Sequence, residues 1–154
     1  MVAALVVGLD QLTKAWAVAR LDTGEILPLV PRLLQLQRVS NSGAAFSLLR
    51  NSTLLLGLIS ALVTVIVSLW LLWRPPVRPW LALGAGFLLG GALGNGIDRW
   101  RLGAVIDFLE FIPISFPIFN VADVAINLAV ACFVIDTLQS SRGTRDDTTG
   151  SPHD

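Results

Sequence analysis

Residues 54–73 read LLLGLISALVTVIVSLWLLW, and residues 79–97 follow as PWLALGAGFLLGGALGNGI, without one charged side chain in either run. A helix needs about 20 mostly apolar residues to cross the hydrocarbon core of a bilayer, so each run is long enough to span. The link between them, RPPVRP, leaves room only for a tight turn, and Trp70, Trp73 and Trp80 flank it as an interfacial aromatic belt does. The two runs form a helical hairpin, and the rest of the chain is read around it.

Composition agrees. Of 154 residues, 54% are hydrophobic and 14% charged, and the mean hydropathy is +0.71, outside the usual range of a soluble domain. The formal net charge is zero, and the eleven Lys and Arg are scattered along the chain, so nothing points to nucleic acid. The one cysteine, Cys132, lies in the apolar run VAINLAVACFVI, and the one histidine, His153, is next to last. An internal disulfide or a thiolate cluster is thereby excluded, and neither a histidine-ligated metal site nor a Ser-His-Asp triad has its histidine where it is needed. No metal and no cofactor are expected.

Two further stretches reach spanning length while carrying polar groups. The first, at the start of the chain, contains Asp10 and Lys14; the second, near the end, contains Asn120, Asp123 and Asn127. The first has no basic leading segment and holds a carboxylate and an amine at its centre, so it reads as a retained helix and not a signal peptide. The expected fold is all-α and polytopic, a four-transmembrane-helix bundle with helices at about 1–20, 54–73, 79–99 and 118–138. Residues 21–53 are too polar to span, and LLQLQRVSNSGAAFSLL alternates apolar with polar residues around Asn41-Ser42-Gly43, which predicts a small β-hairpin or sheet at about 24–51 on the membrane surface. Residues 100–116 form a second loop on the same side. Residues 1–140 are expected to make one membrane domain, and 141–154 a disordered polar tail.

Charge counting does not orient the bundle. Arg74, Arg78, Arg142 and Arg145 fall on one face, against Arg20, Arg32, Arg38, Arg50, Arg99 and Arg101 on the other.

Ionisable side chains inside a bilayer cost about 2.5–3.5 kcal/mol each on insertion scales, so each one here asks for a reason. Asp10 and Lys14 are four residues apart and form an ion pair on one face of the first helix. Gly86, Gly90 and Gly94 make a small-residue stripe for close helix packing. Beside it run Gly91, Asn95 and Arg99, aimed at one end of the bundle, with Asp98 expected as the counter-ion of Arg99. Asn120, Asp123 and Asn127 share a helix face spaced i, i+3, i+7. Asp107, in AVIDFLEF, lies at the mouth on the same side. Two carboxylates sharing a site hold one proton between them near neutral pH, and such a pair hydrolyses peptides without metal, serine or cysteine. On residue chemistry alone, Asp107 reads equally as a loop residue paired with Arg101, and Asp123 as a helix N-terminal charge.

DQLTKAWA (10–17), NSGAAFSLL (41–49), GGALGNGIDR (90–99), VIDF (105–108) and FNVADVAIN (119–127) occur in that order and closely resemble the signal peptidase II family. The resemblance covers residues 9–138. It implies a four-helix aspartic peptidase of the bacterial inner membrane that removes signal peptides of prolipoproteins, cutting before the diacylglyceryl-modified cysteine. Asp107 and Asp123 fall on the catalytic positions. Asn41 and Gly43 match the motif on the surface sheet; Gly91, Asn95, Arg99 and Asn120 match positions lining the substrate pocket; Asp10 and Lys14 match a polar pair of the first helix. The resemblance further implies cytoplasmic termini, an active site at the extracytoplasmic leaflet, contact with membrane lipid, inhibition by globomycin-like cyclic peptides and a monomer. Phe46, Leu48 and Leu49 of the sheet are expected to rest on lipid. Only nine residues precede Asp10, fewer than is usual in the family, so either a short first helix or a truncated start is expected.

Two other readings compete: a Ser-Lys dyad of Lys14 with Ser40, Ser42 or Ser47, and a small proton-coupled transporter using Asp10 or Asp123.

Overall fold

The computed structural model describes residues 1–43, 52–114 and 116–146, with side chains described as far as residue 141. Among the described residues four helices form: α1 (Val2–Arg20), α2 (Thr53–Trp73), α3 (Pro79–Leu102) and α4 (Val121–Asp146). All four are long and apolar enough to cross a membrane. Leu54, Leu58, Leu62 and Ile66 of α2 stand exposed along its length, as a helix facing hydrocarbon requires. Together the helices make a multi-pass membrane protein.

The third helix is the spine, packing against α1, α2 and α4. Its glycine stripe interlocks with α1 residue by residue. A Cβ at Gly86 would meet Val2 Cβ at 2.9 Å, one at Gly90 would meet Val6 Cβ at 2.6 Å, and one at Gly94 would meet Asp10 Oδ2 at 2.6 Å. Small residues at four-residue spacing let the two backbones approach, which drives association where lipid gives no hydrophobic gain. The expected packing role of this stripe is what the structure shows. Gly103, left-handed at φ 73°, stops α3.

The sheet has three antiparallel strands in the order β1 (Ile26–Val30), β2 (Leu34–Asn41), β3 (Val105–Phe111). This corrects the surface segment in two ways. The hairpin turns at Pro31-Arg32, with Leu33 N–H on Val30 O, whereas Asn41 is the last residue of β2 and the chain bends out of the strand at Ser42-Gly43. The second loop contributes a strand, so Asp107 sits on β3 and not on irregular chain. Beneath the sheet lies a small core of Ala17, Leu21, Leu36 and Phe108. Residues 44–51, with Ser47, Phe46, Leu48 and Leu49, lie outside the described residues.

The last helix begins later than expected, because Asn120 caps it: Asn120 Oδ1 accepts Asp123 N–H at 3.0 Å and Asp123 Oδ2 accepts Asn120 N–H at 3.1 Å, a reciprocal capping box. It runs to Asp146, into the segment expected as a polar tail. At this far end Arg78 pairs with Asp136 at 3.1 Å and also donates to Ser140, tying the start of α3 to α4. Residues 147–154 lie outside the described residues.

The glycine contacts make a stability prediction. Gly90→Ala forces Val6 or the α1 backbone to move and lowers the thermal midpoint in detergent, by about 1–3 kcal/mol of stability. Gly8 is also helical and has nothing within 4 Å of its Cβ position, so Gly8→Ala leaves the midpoint unchanged or raises it. Equal effects of the two would refute the interlock.

Candidate active site

Four elements converge at the sheet end of the bundle. The middle of α1 supplies Asp10 and Lys14, the last turns of α3 supply Asn95, Asp98 and Arg99, β3 supplies Asp107, and the first turn of α4 supplies Asp123. Asp10, Lys14, Asp98, Asp107 and Asn120 are all buried, Asn120 completely.

Lys14 lies at the bottom of the cluster. Its Nζ pairs with Asp10 Oδ2 at 2.9 Å and Asp98 Oδ2 at 2.8 Å and donates to Asn95 Oδ1 at 3.0 Å. The expected Asp10–Lys14 pair is present. Asp98 is the correction: it serves Lys14, and among the described residues Arg99 forms no ion pair. Gln11, which the sequence reading passed over, donates from Nε2 to both Asp10 (3.2 Å) and Asp98 (3.0 Å). A lone amide beside a carboxylate in an apolar run was the available signal.

Above Lys14 stand two asparagines. Asn95 Nδ2 donates to Asp123 Oδ1 at 2.8 Å. Asn120 Nδ2 donates to Asp107 Oδ1 at 2.6 Å and to Asn95 Oδ1 at 3.0 Å. Asn41 Nδ2 reaches the other oxygen of Asp107 at 2.9 Å, and Asn41 Oδ1 accepts Gly43 N–H. A bulge places Asn41 there: Leu36 opposes Leu109 but Val39 opposes Asp107, so β2 carries one extra residue. The extra residue turns Asn41 onto the face of Asp107. Arg38, inside the bulge, is tied to Val18 O and Thr23 Oγ1 at the end of α1.

Both carboxylates face one cavity of about 480 Å³, whose polar wall is Asn41, Gly43, Asn95, Arg99, Asp107 and Asp123. Its other wall is apolar, including Phe116, Ile118, Val124 and Leu128. Arg99 leans on Gly43 O and Asn95 O through long bonds of 3.3 and 3.4 Å, and its Nε has no partner among the described residues. Two expected pocket residues lie elsewhere. Asn120 is behind the wall, holding Asp107 and the first turn of α4. Gly91 is buried under that turn, where a Cβ would come within 2.6 Å of Ala122 O and of Ile126 Cγ1; its place is helix packing. Asn127 is exposed at the cavity rim and donates to Asp123 O.

Burial pushes the Asp107 carboxyl up to about 6; the Asn41 hydrogen bond opposes this, and the nearby Asp123 charge adds to it.

A polar, partly buried cluster opening onto one cavity at the end of four spanning helices defines a polytopic membrane enzyme. The chain belongs to the signal peptidase II family: the family model described as signal peptidase (SPase) II matches residues 2–139. It is 53% identical to the lipoprotein signal peptidase of Parasynechococcus marenigrum (strain WH8102), over 94% of this chain and 91% of that protein. It is 49% identical to that of Gloeobacter violaceus, over 94% and 83%. A solved bacterial membrane enzyme, determined by the in meso method at 2.3 Å, superposes with a TM-score of 0.83 at 26% identity, covering 99% of this chain and 91% of that one. The chain is thus a lipoprotein signal peptidase by family, and lipoproteins are the substrates that family processes.

The raised Asp107 carboxyl predicts a pH-dependent stability. Its value in the folded protein exceeds the ordinary 3.8, so between about pH 4 and 6 the native state holds more protons than the unfolded chain. Its stabilising effect is complete below that window and lost as pH rises through it, by on the order of 2–3 kcal/mol. Asp107→Asn removes the loss, so its thermal midpoint rises relative to the parent chain between about pH 4 and pH 7.5. A gap that stays constant with pH would contradict this.

Proposed function

We propose that Asp107 and Asp123 are a catalytic dyad that hydrolyses the signal peptide of prolipoproteins immediately before the diacylglyceryl-modified cysteine. One observation carries the reading. Asn120 bridges the two carboxylates, its Nδ2 2.6 Å from Asp107 Oδ1 and its N–H 3.1 Å from Asp123 Oδ2, and both line the same cavity.

The chemistry follows from two acids in one partly desolvated site. Mutual repulsion and burial favour one shared proton, which belongs to the pair and to neither residue alone. The ionised member takes a proton from water as the water attacks the scissile carbonyl, while the protonated member donates to the developing oxyanion; as the C–N bond breaks, the first member passes the water's proton to the leaving amine and the second recovers its proton from the hydroxyl that becomes the new carbonyl. Asn41, Asn95 and Asn120 hold the carboxylates by donating N–H groups, which keeps their lone pairs directed while the proton moves. Gly43 and Arg99 line the groove beside them, and the Nε of Arg99 is a donor for a substrate carbonyl. The apolar wall fits the h-region of a signal peptide and the acyl chains of the modified cysteine.

In this reading residues 1–140 act as one peptidase domain. The sheet end faces the extracytoplasmic leaflet, where the lipidated cysteine lies, and both termini are cytoplasmic. Exposed Ile26, Leu27, Leu29 and Val30 of β1 suit a sheet resting on lipid. The enzyme works as a monomer, and globomycin-like cyclic peptides occupy the same cavity.

Among the described residues the geometry does not support the Ser-Lys reading: Lys14 Nζ contacts Asp10, Asp98 and Asn95, and none of its partners is a serine. No observation favours transport.

Asp107→Asn and Asp123→Asn should each lower cleavage of a lipidated prolipoprotein by at least about 10³-fold while the protein inserts and purifies as the parent does. The assay is purified enzyme in detergent or liposomes with product resolved by gel shift. Turnover retained in either variant would refute the dyad.

A further inference from the structure

The Lys14 cluster touches both elements that carry the proposed dyad, and it touches them at matching places. Asp10 Oδ1 accepts the backbone N–H of Ala122 at 2.9 Å, the residue immediately before Asp123. Asp98 Oδ2 accepts the backbone N–H of Ile106 at 3.2 Å, the residue immediately before Asp107. Lys14 Nζ draws these two carboxylates together at 2.9 and 2.8 Å.

The remaining proton of Lys14 points the same way. An ammonium has donors and no acceptor, so Asn95 must turn Oδ1 towards it (3.0 Å) and is left with Nδ2 facing Asp123 (2.8 Å). Three paths to the dyad therefore start at one nitrogen: through Asp10 to the first turn of α4, through Asp98 to β3, and through Asn95 to the carboxylate of Asp123. The cluster has little freedom to shift. Lys14 is 3% exposed and Asp10 0%, and Asp10 Oδ2 lies against the bare Cα of Gly94, where a Cβ would come within 2.6 Å.

We propose that Lys14 is a positioning residue that sets the spacing of Asp107 and Asp123 by holding together the two carboxylates that grip their backbones. The proposal rests on the dyad reading. A pair whose only role was to orient α1 would need Asp10 alone. Here the ammonium is shared with α3, and its two partners end on β3 and α4. Misplacement of reacting groups by about 1 Å costs on the order of 100-fold in rate. Binding of the substrate relies on the cavity walls, which Lys14 does not line.

The test uses the full-length enzyme and a lipidated prolipoprotein, with kcat and KM measured separately. Lys14→Met leaves two carboxylates buried without a cation, and such a chain folds poorly. Lys14→Met combined with Asp98→Asn keeps the cluster's formal charge, and the amide that replaces the carboxylate still offers an oxygen to Ile106 N–H. The folded double variant is expected to show kcat reduced about 100-fold with KM within about twofold of the parent. Parent-like kcat, or a rise in KM alone, would overturn the proposal. So would a double variant that cannot be isolated folded, since the cluster would then serve the fold and not the spacing. Asp107→Asn and Asp123→Asn run in parallel separate the two readings. If they stay active, the dyad itself is wrong; if they are dead while the double variant turns over normally, only the role of Lys14 is wrong.

Discussion

A buried ammonium shared by two carboxylates is the constraint around which this molecule is arranged. Desolvating Lys14, Asp10 and Asp98 separately in a bilayer would cost many kcal/mol, and their mutual contacts at 2.8–2.9 Å offset that only because the carboxylates also have other donors around them. Gln11 Nε2, Ala122 N–H and Ile106 N–H are those donors. Two of them are main-chain groups, so satisfying the charges also fixes where a helix begins and where a strand lies. Electrostatic necessity and geometry of the site are one requirement.

Close helix approach makes the cluster feasible. Asp10 reaches α4 because Gly94 gives it room against α3, and the first turn of α4 sits low because Gly91 lies beneath it. The far end of the bundle is fastened differently, by the Arg78–Asp136 pair. That leaves α2 as the least embedded helix: it packs chiefly on α3, with Gly57 receiving the Trp100 indole, whose Nε1 donates to Gly57 O. The polar centre is thus built by α1, α3, α4 and the sheet, while α2 closes one flank towards lipid.

How much of this was legible in the sequence depended on the range of the interactions. Uncharged runs such as 54–73 declare a spanning helix by local composition, and the Gly86-Gly90-Gly94 stripe declares a packing face by local spacing. The strand carrying Asp107 does not, because the polar residues of VIDFLEF are three apart and do not alternate with the apolar ones, so it becomes a strand by pairing with Leu34–Asn41, about 70 residues earlier in the chain. Asn41-Ser42-Gly43 has turn composition yet ends a strand, since the real turn is at Pro31-Arg32 and a bulge shifts the alternation. Asp98 next to Arg99 looks like a neighbouring ion pair; on a helix, adjacent side chains diverge by about 100°, and Asp98 turns to Lys14 instead. Gly91 and Asn120 belong to motifs that place them near the pocket, but motif membership does not distinguish a residue that lines a cavity from one that supports its wall.

The cap of α4 has one more consequence. Asp123 accepts the N–H of Asn120 on one oxygen and the amide of Asn95 on the other, so the same carboxylate is a fastening of the helix end and a wall of the cavity. A proton arriving on either oxygen competes with a bond that fastens the helix, and a fraying first turn alters the affinity for that proton. Proton affinity at this position is therefore tied to the helix terminus through two hydrogen bonds, and whatever steadies the terminus also steadies the carboxylate.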